Sequence, residues 1–197
     1  MLSIGILVYI ILQQDMKKGK NLFLLICSTI LIVIISGFSN SNRTIGLTFK
    51  LKNAEAFISS DQMIVWLEKT DSSFVKTLFV SEYMAYGGYN FDSICPNWPE
   101  RSGWEMISND KFDAVTGATP GPGDVKFEFI VDKDSIPDGE YNLFIEVHLA
   151  EKYNELYSTT INLSDTTCIS DLNVTFIPEK YPKASGNHLS DVKVVYK

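Results

Sequence analysis

The sequence predicts an all-β protein: an immunoglobulin-like antiparallel β-sandwich preceded by an N-terminal signal peptide or membrane anchor helix. Three observations carry that expectation. Apolar and polar residues alternate with period two along a series of short segments. Those segments are rich in aromatic and β-branched residues and are bounded by Gly, Pro, Asp and Ser. The body of the chain shows no convincing amphipathic helix, and about eight short strands suit two packed sheets.

The N-terminus is the exception to the strand rhythm. Met16–Lys20 (MKKGK) is positively charged, Leu22–Ile35 is an apolar run, and Ser36–Asn42 supplies small polar residues. Charged, apolar and small-polar regions in that order form a secretory signal pattern, with cleavage after Ser39. Counted from Leu22 to Phe38, about 17 residues, the segment also sits at the lower limit for a retained membrane span. The preceding Met1–Asp15 reads as an upstream start or a first short membrane pass. The expected division is 1–39 as signal peptide or anchor and 40–197 as one extracytoplasmic domain, periplasmic, secreted or anchored. Membrane contact is expected only through the N-terminal segment, if uncleaved.

In the body, Ile45–Leu51 places Ile45, Leu47, Phe49 and Leu51 on one face. Gln62–Lys69 is a more continuous apolar run, as a central strand requires. Asp71–Ser73 is a turn signal, and Phe74–Val80 returns. Val125–Val131 and Tyr141–Leu149 alternate cleanly and are joined through Asp138-Gly139, a turn dipeptide. Leu156–Leu163, Asp171–Ile177 and Asp191–Tyr196 complete the series.

The composition, 45% hydrophobic and 21% charged, is globular, and the net charge of −7 repels nucleic-acid phosphates. Cys95 and Cys168 are the only cysteines beyond the leader. They read equally as a disulfide or as two separate buried thiols. Glu146 and His148 lie two apart on the polar face of one strand, which reads as a solvated face rather than a metal site. Asp132, Asp134 and Asp138 lack EF-hand spacing and read as turn aspartates, and His188 as a loop residue. No metal site is expected. No serine or cysteine carries a hydrolase signature, so the chain reads as non-catalytic.

Two stretches stand apart. Glu82–Asp110 has no strand periodicity and carries Tyr83, Tyr86, Tyr89, Phe91, Trp98 and Trp104. Its aromatics either plug the sandwich as a cap or, with Trp98 and Trp104 foremost, form a stacking surface for a planar ligand. Phe112–Phe127 (FDAVTGATPGPGDVKF) follows, and its glycines and prolines are sufficient for a corner.

The run MIVWLEKTDSSFVKTLFV, the Trp-containing loop, DAVTGATPGPG and VDKDSIPDGEYNLFIEVHLAEKYNELY together resemble the predicted periplasmic proteins of domain-of-unknown-function family twenty-two seventy-one. The likeness covers roughly Ala54 to Leu163. It implies a small extracytoplasmic β-sandwich without an assigned reaction. KFEFIVDKD departs from the Trp-Asp-Gly-like turn expected there.

Asp113-Ala-Val-Thr116-Gly117-Ala118-Thr119 is also similar to the FMN-acceptor sequence of covalently flavinylated redox subunits, found in sodium-pumping quinone reductases and Rnf-type complexes. The similarity implies FMN esterified to Thr119 by a dedicated FMN transferase, with Asp113, Thr116, Gly117 and Ala118 as the recognition run. The chain continues into PGPG and a strand where those subunits continue into a helix, so any flavin ring must find its environment in the aromatic loop. Two functions are therefore carried forward. One is a non-catalytic extracytoplasmic module, an accessory of a membrane redox system. The other is an electron-transfer protein carrying FMN at Thr119, with an FMN transferase and a membrane redox protein as partners.

Overall fold

The computed structural model describes residues 42–53, 60–104, 115–150, 153–164, 168–169, 173–177 and 188–197. The chain divides into two units, Met1–Ser41 and Asn42–Lys197. The predicted signal or anchor segment, 1–39, lies outside the described residues. Among the described residues no helix is long and apolar enough to cross a membrane.

The expected all-β sandwich is present. The strands are β1 (Asn42–Leu51), β2 (Gln62–Lys69), β3 (Phe74–Ser81), β4 (Thr116–Gly117), β5 (Gly123–Asp132), β6 (Glu140–Ala150), β7 (Tyr153–Asn162), β8 (Cys168–Ile169), β9 (Asn173–Ile177) and β10 (Leu189–Tyr196). They form a four-stranded sheet, β5-β1-β10-β8, and a six-stranded sheet, β4-β3-β2-β6-β7-β9. Pairing is antiparallel except where β4 runs parallel to β3.

Period-two patterning explains the core. Ile45, Leu47, Phe49 and Leu51 of β1 meet Met63, Val65 and Leu67 of β2 and Leu143, Ile145 and Val147 of β6 in one buried cluster. Removing such apolar surface from water is the main drive for closing the sandwich. Val125, Phe127 and Phe129 of β5 pack against the same cluster, half-buried at the rim.

The large sheet is covered on its other face too. Ile64 and Trp66, the alternate residues of β2, form a second cluster with Val80, Met84, Ala85, Cys95, Trp98, Trp104 and Leu156. Burial on both faces is why β2 lacks alternation. The cover is the aromatic loop, which the sequence left without regular elements. It contains α1 (Glu82–Ala85), a 3-10 turn (Gly88–Asn90) and α2 (Asn97–Ser102). Trp98 and Trp104 lie against each other with ring centroids 4.7 Å apart. Their indole N–H groups donate to Thr77 Oγ1 at 3.0 Å and to the Ala85 carbonyl at 3.3 Å.

All three tryptophans of the chain, Trp66, Trp98 and Trp104, are at most 3% exposed. Native tryptophan emission should therefore resist acrylamide quenching until the protein unfolds. Trp98→Ala should lower stability by about 3–5 kcal/mol, read from the urea midpoint, because it opens a large cavity beneath the loop. A native emission as quenchable as the unfolded one contradicts the cover.

Candidate functional site

The Thr-Gly-Ala-Thr stretch occupies the edge of the large sheet. The Val80 N–H donates to the Val115 carbonyl at 3.0 Å, and Thr116 and Gly117 pair with Val80 and Ser81. Gly117 is required by contact: a Cβ there would sit 2.8 Å from Phe79 Cε2. Ala118 is exposed and Thr119 half-buried. The Thr119 hydroxyl donates to Gln62 Oε1, the first residue of β2, at 3.3 Å. Pro120–Pro122 then carries the chain to the small sheet at Gly123, whose φ of +126° suits glycine. The stretch is thus a corner between sheets with a hydroxyl at its start.

Beside that hydroxyl lies a shallow hollow lined by Glu82, Tyr83, Tyr86, Phe91, Ala118 and Thr119. Its aromatic side chains face solvent, with Tyr83 50%, Tyr86 65% and Phe91 55% exposed. Local structure sets this arrangement. Helix α1 continues β3 directly, burying Met84 and Ala85 while Tyr83 and Tyr86, three apart, share the outer side. Gly87 then reverses the chain at φ +136°. Gly88 lies directly beneath Tyr83, where a Cβ would meet the ring at 2.7 Å.

Below the loop lies a buried polar layer. Glu146 is fully buried, which corrects the expectation of a solvated strand face. Its Oε1 accepts from the Asn97 side-chain amide at 2.7 Å and from the Asn97 N–H at 3.3 Å, and Oε2 accepts from the Trp98 N–H at 3.2 Å. Burial pushes its carboxyl up to about 7, against the lowering effect of those donors. His148 is likewise buried, with Nδ1 3.0 Å from Asn154 Oδ1, and burial lowers its pKa. Glu68 accepts from the Trp66 indole at 2.7 Å and pairs with Arg101 of α2 at 2.9 Å.

Other expectations resolve plainly. Cys95 is a free, fully buried thiol, so the alternative of a Cys95–Cys168 bridge is not realised. It sits on the outer face of the large sheet, whereas β8, which carries Cys168, belongs to the small sheet. His188 lies in the loop before β10, as expected, and is buried with Nε2 3.0 Å from Asp61 Oδ1. Asp132 binds the Asp134 N–H at 3.1 Å, and Asp138 pairs with Lys133 and Arg43, as turn aspartates do.

Of the residues singled out for cofactor binding, Thr116, Gly117, Ala118 and Thr119 are brought together in the turn. Asp113 lies outside the described residues. Trp98 and Trp104 are not at the surface: both indoles belong to the buried cover, and the exposed aromatics of the loop are Tyr83, Tyr86 and Phe91. Large indoles gain most from burial, which favours Trp98 and Trp104 inside, but no such preference puts Phe91 outside. Gln62 was invisible, because its contact to Thr119 spans 57 residues.

A family model described as "Predicted periplasmic protein (DUF2271)" matches residues 43–175, more than half of the chain. No curated protein and no solved structure matches.

Two outcomes follow from the buried layer. A carboxyl raised above its ordinary 4.5 is held protonated by the fold, so the stability it contributes is present below pH 4.5 and is lost as pH rises through about 7. The stability advantage of the wild type over Glu146→Gln should shrink by up to about 3 kcal/mol between pH 5 and 8, measured by urea unfolding. A pH-independent gap means that Glu146 titrates normally. Burial also raises the Cys95 thiol well above its ordinary value. Peptide mapping after iodoacetamide should find Cys95 unmodified in the native protein and alkylated in urea.

Proposed function

Because the chain belongs to the DUF2271 family of predicted periplasmic proteins, we propose that it works outside the cytoplasm as a non-catalytic β-sandwich carrier with FMN held covalently at Thr119. The observation that supports this reading is the placement of Thr119: it ends a turn fixed by strand pairing and by Gly117 against Phe79, at the rim of an aromatic hollow.

The chemistry assigns the work to a partner. A threonine hydroxyl is a weak nucleophile at neutral pH, and the partner it has here, the Gln62 amide oxygen, accepts a hydrogen bond without being a base. The chain therefore does not flavinylate itself. An FMN transferase supplies the base and an activated flavin dinucleotide. The Thr119 oxygen attacks the flavin-side phosphorus, the pyrophosphate P–O bond breaks, the nucleotide monophosphate leaves, and the hydroxyl proton passes to the transferase. Giving up a 3.3 Å bond to Gln62 costs little, since it is already at the long end of hydrogen-bond geometry. The exposed Ala118 leaves the acceptor open to a bulky enzyme. The carrier then exchanges electrons with a membrane redox protein.

A second reading has its own observation. Gly117 is demanded by Phe79 and Gly123 by its backbone angle whatever Thr119 does, so the same stretch also serves a simple binding module as a corner. The hydroxyl separates the two. Co-expression with an FMN transferase should add one FMN phosphoester to the peptide containing Asp113 to Gly123, seen by mass spectrometry. Thr119→Val should abolish the adduct with a stability change within about 1 kcal/mol. Thr116→Ala should weaken modification without removing the acceptor. A wild-type peptide left unmodified by a competent transferase makes the stretch a corner alone.

A further inference from the structure

We infer that Tyr83, Tyr86 and Phe91 form the bed on which the isoalloxazine ring of a Thr119-bound flavin lies. The inference rests on the proposed attachment at Thr119 and names the ring site that attachment needs.

Among the described residues four large apolar side chains are exposed, Tyr83, Tyr86, Phe91 and Ile130, and three of them line this one hollow. Soluble proteins rarely keep such a patch open without a use for it. The patch is also built rather than left over. Helix α1 turns Met84 and Ala85 into the buried cluster and thereby fixes Tyr83 and Tyr86 outward. Gly88 is buried with no room for a side chain, so the Tyr83 ring rests on bare backbone. Gly87, at φ +136°, returns the chain so that Phe91 closes the far side.

The chemistry of the hollow selects its occupant. Aromatic faces with phenol hydroxyls at their edges suit a planar ring that is apolar across its faces and polar along its rim. Among the described lining residues Glu82 is the sole charged group, so nothing they offer calls for an anionic headgroup. The phosphate instead has its own place, on the Thr119 hydroxyl at the rim. Ala118 puts no bulk between the two, and a flexible ribityl chain joins phosphate to ring. Tethering makes weak stacking sufficient, because the ring is held at high effective concentration over the patch.

The test reads flavin fluorescence on the flavinylated full chain, because a stacked tyrosine donates an electron to the excited ring and quenches its emission. The intact protein should be dim, and emission should rise severalfold when digestion frees the FMN-bearing peptide. Tyr83→Leu/Tyr86→Leu should be bright before digestion while keeping the same adduct mass. Phe91→Ser, a single exposed change, should shift the flavin absorption bands toward those of free FMN. An intact wild type as bright as its peptide, or a double variant as dim as wild type, overturns the ring site and leaves attachment standing. A chain that gains no adduct mass overturns attachment, and the ring site with it.

Discussion

The cover over the outer face of the large sheet depends on one buried carboxyl. Glu146 lies fully buried on the outer face of the large sheet and accepts three hydrogen bonds from Asn97 and Trp98. A buried carboxyl is tolerated only when such donors replace water, and N–H groups at the start of a helix need an acceptor. Each requirement meets the other here. The same helix is tied again through Arg101 to Glu68, and Trp98 reaches Thr77. With α2 fixed in this way, the loop closes over Trp66, Cys95 and Trp104. Its outer side is set by the inward anchoring of Met84 and Ala85, which decides which way Tyr83 and Tyr86 point.

The strands were legible in the sequence for a simple reason. β1, β5 and β10 bury one face, so period two survives in their residues, and β2 matches its predicted span end to end. β4 and β8, two residues each, are too short for any period. The reading failed where a covering segment comes from elsewhere in the chain. Glu146 and His148 were placed on the correct face of β6, but that face is covered by residues about fifty positions earlier, whose aperiodic sequence announces no contact. Glu155 is buried with local partners instead: it accepts from the hydroxyls of Tyr153 and Tyr157 on the same strand, whose pKa values burial pushes up first. The turn at 116–119 was legible because glycine and proline mark it, whereas the hollow required knowing which aromatics of one loop turn outward.

The position of the turn carries its own logic. It stands where the chain leaves the edge of the six-stranded sheet and crosses to the four-stranded one. Edge strands need blunting, and β4 covers only the last two residues of β3 before the chain departs. Pairing, the Phe79–Gly117 contact and the Gln62 bond fix Thr119 on a rigid frame rather than on a free loop. A group attached there, as proposed, would inherit that rigidity.

Among the described residues, the buried ionisable groups serve the fold. Glu146 and His148 are sealed beneath the loop, Glu155 within the core, and His188 against Asp61. Each is engaged in hydrogen bonds that the fold needs, and none lines the hollow. At the hollow itself the described residues offer phenols, one exposed carboxylate and a threonine bound to an amide. General acid–base work requires a group that meets the reacting atom with its pKa near the operating pH. Among the described residues the carboxyl moved toward neutrality, Glu146, lies under the cover, engaged by backbone and amide donors. If the surface above holds a cofactor as proposed, the chemistry is the cofactor's and the protein supplies place and orientation.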